Sequence, residues 1–346
     1  MSPNYYNSAR LAYTFITLQD TNRKVSYLNS TANGESIAKH ITGVLILGRA
    51  LAKMSYRKSN SFNLLKVESM LSWHDVSEAY TGDIPWDHRI YVDVNEKHAL
   101  EDLFSAFTWG KNVISLIDEF NKRESLESNI SRDADALYVL TTIRNLESQN
   151  YEIFRRDQRI ERTLTLLIKS DEGKELAKTI INESYNNLWN KIEEIGELKK
   201  GLFNNKGEDL SIIVVVGWLL VELALQEGKK QVSMEKVLNC LLTNEKVKDI
   251  NKSLAQDASN IYKIMFLKRE YLRCIQDRKV KLNDKFIQKY MKNTISKLQT
   301  QQGKNLGKVI LDMHPREWWH IMMGYAEITT DGSIVELKDP KPRWKK

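Results

Sequence analysis

An all-α fold is what this sequence predicts, and three observations carry the prediction. Proline is scarce, at 5 in 346 residues, so few stretches are barred from forming helix. Apolar residues recur at helical spacing in segment after segment. Only residues 325–338, YAEITTDGSIVELK, alternate apolar and polar positions, around the turn dipeptide Asp331-Gly332. That pattern predicts one C-terminal β-hairpin and no other sheet.

Taken in order, the first helix begins near Glu35 or Ser36, after the turn signal Asn33-Gly34, and runs to about Leu51. Ile37, Ile41, Val44, Leu45, Gly48 and Leu51 share its apolar stripe. His40 lies beside that stripe, in line with Val44, Leu47 and Leu51, and so points inward. The second helix spans about 62–80 and aligns Val67, Leu71, His74 and Glu78. Residues four apart stack on one helix face, which places Glu78 beside His74. Asp75 is rotated by one residue's turn and flanks the same point. Gly82 ends the helix and lets Asp83 turn back. Further helices are expected around 98–122, 131–147, 157–169 and 171–199. Within 129–140 one inward carboxylate would suffice for a site, and Asp133 and Asp135 both qualify on chemistry.

Two imidazoles and two carboxylates, delivered by three separate segments, can hold one divalent metal with positions left open. Imidazole and carboxylate without thiolate suit Mn, Fe, Co, Ni or Zn better than an all-oxygen Mg or Ca cage. Glu78 and Asp83 stand near that point without being counted as ligands. They are the candidates for orienting water and for general acid work. A lone His on an apolar face is most often a core histidine, so the conjunction of His, His-Asp, Glu, Gly-Asp and Asp carries the weight. No Gly-rich phosphate loop is present, so a substrate phosphate would be held by metal and side chains. Lys39, Arg89 and Arg132 are the basic residues nearest the motifs in sequence.

The segment WHDVSEAYTGDIP (73–85), with His40 in GESIAKHITGV and Asp135 in ISRDADALYVL, resembles the HD-domain metal-dependent phosphohydrolases. Within that superfamily it is most similar to the 5′-deoxynucleotidase branch, whose local signature is HD-x-x-E followed by G-D. The resemblance covers roughly residues 1–200 and is strongest over 35–140. It implies an HD-domain helical bundle and one divalent metal (Mn, Co, Fe, Ni, Zn or Mg) on His40, His74, Asp75 and Asp135. The last is selected as the Asp of the family's A-D-x-L element. It also implies Glu78 and Asp83 in catalytic roles, a (deoxy)nucleoside 5′-monophosphate as substrate, and a homodimer.

Residues 199–201 and 204–207, KKG and NNKG, form a turn-rich linker and divide the chain into 1–200 and a basic, mostly helical region at 201–346. The first part carries 26 Lys and Arg against 28 Asp and Glu, a net −2; the remainder is +9. Lys279, Lys281, Lys285, Lys289, Lys292 and Lys297 surround Tyr290, and the tail reads PKPRWKK. Basic residues interleaved with aromatics are an electrostatic footprint for DNA or RNA, although a solvated Lys-rich face gives the same pattern. An HD-type nuclease or phosphodiesterase is therefore the second functional reading, and a non-catalytic nucleotide-sensing module the third. HPREWWH (314–320) is expected in core packing or an interface. The apolar run 212–221 stops at Glu222, too short for a bilayer, and predicts a buried helix. Two cysteines, Cys240 and Cys274, and an N-terminus without a basic start and apolar core point to the cytoplasm.

Overall fold

The computed structural model describes residues 3–23, 35–56, 62–85, 88–153, 155–203, 207–245, 249–277, 284–313, 325–329 and 334–338. In chain order, the helices of the first half are α1 (Pro3–Thr17), α2 (Ile37–Tyr56), α3 (Leu64–Trp73), α4 (Glu78–Thr81), α5 (Glu96–Phe104), α6 (Gly110–Lys122) and α7 (Leu126–Ser148). They are followed by α8 (Arg156–Arg162), a π-helical turn Thr163–Leu167, α9 (Asp171–Asn182) and α10 (Tyr185–Ile195). The second half holds α11 (Gly207–Gln226), α12 (Met234–Leu242), α13 (Ile250–Asp277), α14 (Asp284–Ile295) and α15 (Gln301–Asp312). Strands β1 (Ala326–Ile328) and β2 (Ile334–Glu336) pair antiparallel with Ile328 opposite Ile334. The protein is all-α with a C-terminal hairpin, as its composition predicts; the turn at Asp331-Gly332 lies outside the described residues.

Two compact units form. One comprises Thr17–Ser211 with Leu242–Asn244; the other comprises Met1–Ile16, Ile212–Leu241 and Glu245–Lys346. In the first, α2 is the central element and packs on α7, α3 and α10. Its side chains from Ile41 to Ala52 are all buried, so its flanks are apolar nearly all round. Gly43 is required there, because a Cβ would collide with the Tyr138 ring on α7. Arg49 on α2 and Glu68 on α3 form a buried ion pair. Removing one partner would strand a buried charge at a cost of about 3–5 kcal/mol.

The expected helix over 62–80 is broken. The ring Nδ1 of His74 lies 2.9 Å from the Leu71 carbonyl, the acceptor that the Asp75 amide would otherwise use. Residues 74–77 tighten into a turn, with the Glu78 amide bonded to Asp75 O, before α4 resumes. The expected helix over 98–122 breaks at 105–109, where Gly110 packs against the Phe104 carbonyl too closely for a side chain. That over 171–199 breaks where Arg144 takes the Glu183 carbonyl and Ser184 starts α10.

In the other unit α13 packs against α14 and α15. The expected buried helix over 212–221 is the middle of α11, its apolar side chains mostly buried. Lys289, Lys292 and Lys297 are exposed. Lys279, Lys281, the side chains of Lys285 and Cys274, residues 204–206, 314–320 and the basic tail lie outside the described residues.

Candidate metal centre

Three elements bring their polar side chains to one point. His40 lies on α2 with its ring wholly buried, His74 caps the C-terminus of α3, and Asp135 lies on α7. The two Nε2 atoms are 3.3 Å apart. Asp75 Oδ2 lies 3.1 Å from the first and 3.2 Å from the second. Asp135 Oδ1 is 3.4 Å from His40 Nε2. Donors bound at about 2.1 Å to one tetrahedral or octahedral ion are themselves about 3.0–3.4 Å apart. The four groups therefore fit a single divalent cation, and the His40, His74 and Asp135 donor atoms all fall within 4.8 Å of one another.

Hydrogen bonds fix which nitrogen would face such an ion. His74 Nδ1–H donates to Leu71 O, leaving the Nε2 lone pair towards the cluster. Of the two acids that qualify on α7, Asp133 faces away. It is fully buried and accepts from the amides of Lys169 and Ser170 and from Arg123. Asp135 alone turns to the histidines.

Electrostatics divide the groups by role. Burial, reinforced by Arg23, pushes His40 down to about 4, so the ring is neutral. His74 is raised despite its burial, because Asp75 faces it. Burial opposes the charge of Asp75 as well, but His74 and His40 hold that carboxyl well below its usual range. Glu78 is pushed up to about 10, first by burial and then by Asp75 and Asp83. Its Oε2 is buried without a hydrogen-bond partner. Gly82, at φ 69°, ends α4 and turns the chain into Asp83. Glu78 thus carries a proton at neutral pH beside two carboxylates.

Arg23 was not foreseen. Its Nη1 lies 2.7 Å from His40 Nδ1, its Nη2 is 3.8 Å from Asp135 Oδ1, and the guanidinium stands over the Tyr138 ring. Burial works against its charge, but Asp135, Asp75 and Glu35 hold it above its ordinary value. The Arg23 amide bonds to Glu35 O and Asn22 bridges Ser36, which ties the residue to the start of α2. Of the three basic residues expected near the motifs, Arg132 reaches Asp135 at 3.4 Å. Lys39 stands over Phe203, and Arg89 pairs with Glu96 at 2.9 Å, so neither of these contacts the cluster.

Part of the chain is similar to known proteins. A family model described as an HD domain matches residues 16–183. A 5′-deoxynucleotidase of Erwinia tasmaniensis is 29% identical over 147 residues, covering 38% of this chain and 71% of that protein. A 5′-deoxynucleotidase of Klebsiella pneumoniae is 29% identical over 141 residues, covering 38% and 70%. Among solved structures, a conserved hypothetical protein of Pyrococcus furiosus matches at TM-score 0.41 and 22% identity, over 49% of this chain and 96% of that one. Residues 16–183, just under half of the chain, match the HD domain, and with the 5′-deoxynucleotidase-named relatives this match supports a metal-dependent phosphohydrolase.

Proposed function

We propose that the protein is a nucleotidase that releases phosphate from a (deoxy)nucleoside 5′-monophosphate. The observation that carries this reading is the convergence of His40, His74, Asp75 and Asp135 beside a protonated Glu78. The two relatives named as 5′-deoxynucleotidases support the choice of substrate.

His40, His74, Asp75 and Asp135 would hold the ion. A divalent cation there supplies Lewis acidity and makes water acidic near neutral pH. The remaining work belongs to the chain's own groups. Glu78 holds a proton at its carboxyl and can deliver it to the departing ester oxygen, which otherwise leaves as an alkoxide. Asp83 keeps that proton in place by disfavouring a second negative charge beside Glu78. Arg23 now donates to His40 Nδ1, and a ring ligating through Nε2 would carry its proton on that same nitrogen. The forked donors of the Arg23 guanidinium beside the cluster would suit a phosphate oxygen.

The experiment is purified protein with Mn, Co or Mg against nucleoside mono- and triphosphates, with single-stranded DNA and RNA in parallel. Phosphate release from monophosphates is expected. Turnover of polynucleotides alone would favour the nuclease reading, for which the net +9 of residues 201–346 is the supporting observation. Among the described residues no helix is long and apolar enough to cross a membrane.

A further inference from the structure

Two stretches of the second unit read like two of the first. On α7 the run 130–138 reads ISRDADALY, and on α13 the run 254–262 reads LAQDASNIY. Residues 170–182 read SDEGKELAKTIIN, and residues 300–312 read TQQGKNLGKVILD. Amphipathic helices resemble one another by chance, so the contacts decide.

Asp133 is fully buried and accepts from the amides of Lys169 and Ser170; Asp257 is fully buried and accepts from the amides of Gln299 and Thr300. Ser170 Oγ caps α9 by accepting from Gly173 N at 3.0 Å, and Thr300 Oγ1 caps α15 by accepting from Gly303 N at 2.9 Å. In both places a Cβ on the glycine would run into the buried aspartate, so both positions exclude a side chain. The far ends match too. Arg144 on α7 donates to Glu183 O at the C-cap of α9, and Lys268 on α13 donates to Met313 O at the C-cap of α15. In each unit one long helix clamps its partner with an acid at one end and a base at the other.

The correspondence extends to the remaining helices. LLKVESMLSWHD (64–75), at and beyond α3, aligns with MEKVLNCLLTNE (234–245), at and beyond α12. Gly48 on α2 would place a Cβ against Leu71 and near Ala134; Gly217 on α11 would place one near Leu241 and Ala258, the aligned residues. The buried pair Arg49 and Glu68 is matched by Trp218 and Leu238, an apolar replacement of both charges together. Burial along α13 follows burial along α7, with residues 254, 255, 257, 258, 261, 262, 264 and 265 buried where their counterparts are.

We infer that α11, α12, α13 and α15 are a diverged internal copy of α2, α3, α7 and α9 that has given up the metal. By the same alignment His40 falls on Asp209, His74-Asp75 on Asn244-Glu245, and Asp135 on Ser259, so no imidazole is kept. The chain carries one centre for chemistry and one companion built on the same scaffold that cannot hydrolyse by the same route. What survives in the copy is the clamp, which is structural; what is lost is the ligand set.

A segment exchange in the full-length protein tests this. Residues 300–312 are replaced by the sequence of 170–182, and in a control by that of 184–196, which has the same length and also begins with Ser. Gln302 and Gly307 are kept in both, because Gln302 is buried against Glu227 and a Cβ at Gly307 would meet Leu298. The control offers Asn187 where the clamp needs glycine. The first chimera should melt within about 5 °C of the parent, a shift of roughly 1–2 kcal/mol, and keep its metal; the control should lose the cooperative transition. Equal effects of the two exchanges would overturn the repeat. Elemental analysis supplies the second arm. One ion per chain is expected in the parent and none in a His74→Ala, Asp75→Ala double variant. An ion that stays in that variant and is lost when Asp209 and Glu245 are also replaced by Ala would overturn the metal-free assignment of the copy.

Discussion

Glu78→Gln should stabilise the metal-free protein, and by an amount that depends on pH. An ordinary glutamate ionises near 4.5, whereas Glu78 in the fold holds its proton to about 10. Below pH 4.5 the side chain is protonated in both states and contributes nothing to the difference. Above it the unfolded chain ionises while the folded site resists, so stability falls as pH rises towards 10. Each pH unit in that window costs about 1.4 kcal/mol, which makes about 3 kcal/mol at pH 7. Gln keeps the size of the side chain and cannot ionise, so the variant lacks this slope. Urea unfolding with a chelator present, followed by the fluorescence of the buried Trp73 region, gives the comparison at pH 5, 7 and 8.5. The variant's advantage should be small at pH 5 and grow steadily upward. Added metal should shrink it, because a cation near the carboxyl favours its charged form. A difference that is the same at every pH would refute the electrostatic origin. The same variant should lose about two to four orders of magnitude in turnover while keeping its metal.

Three other outcomes follow from the site and its surroundings. Replacing His74 or Asp75 by Ala should abolish metal retention and hydrolysis while circular dichroism still reports a helical protein; stoichiometric metal in the double variant would sink the ligand assignment. Arg23→Ala should raise KM for a mononucleotide about tenfold or more with metal content unchanged, consistent with loss of a charge-assisted contact of about 1.5–3 kcal/mol; a KM that does not move removes Arg23 from phosphate binding. If residues 201–346 guide a polynucleotide, affinity should fall with salt at about −0.7 per neutralised phosphate for single strands, and charge reversal at Lys289 and Lys292 should flatten that slope. Anisotropy across a salt series measures it, and no binding at low salt would leave the mononucleotide reading alone.

Some of this architecture was readable in the chain and some was not, for identifiable reasons. The core of α2 shows in the sequence because a turn signal, a helical apolar stripe and an inward histidine all agree. His40 and His74-Asp75 are legible because they sit on periodic segments whose inward faces can be counted, whereas Asp133 and Asp135 qualify equally by pattern and only the family resemblance selects Asp135. The breaks inside the expected helices are not legible, because side chains cause them: the His74 ring takes the Leu71 carbonyl, and Arg144 takes that of Glu183. Arg23 escapes for a different reason. It lies in an irregular stretch with no period, and only the pairing of residues 22–23 with 35–36 brings it to His40. The clamp on α15 was hidden because Asp257 and Lys268 look like ordinary helix polarity until their distant partners are known.

The empty space at Gly43 reaches into the chemistry. Because nothing projects from α2 there, the Tyr138 ring can lie flush on the helix, with its centroid 4.9 Å from that of the His40 imidazole and Arg23 poised above it. A methyl at residue 43 would have to push that ring aside, and the ring packs on the imidazole of His40. The geometry of the cluster therefore depends on a position that carries no side chain and touches none of its donor atoms.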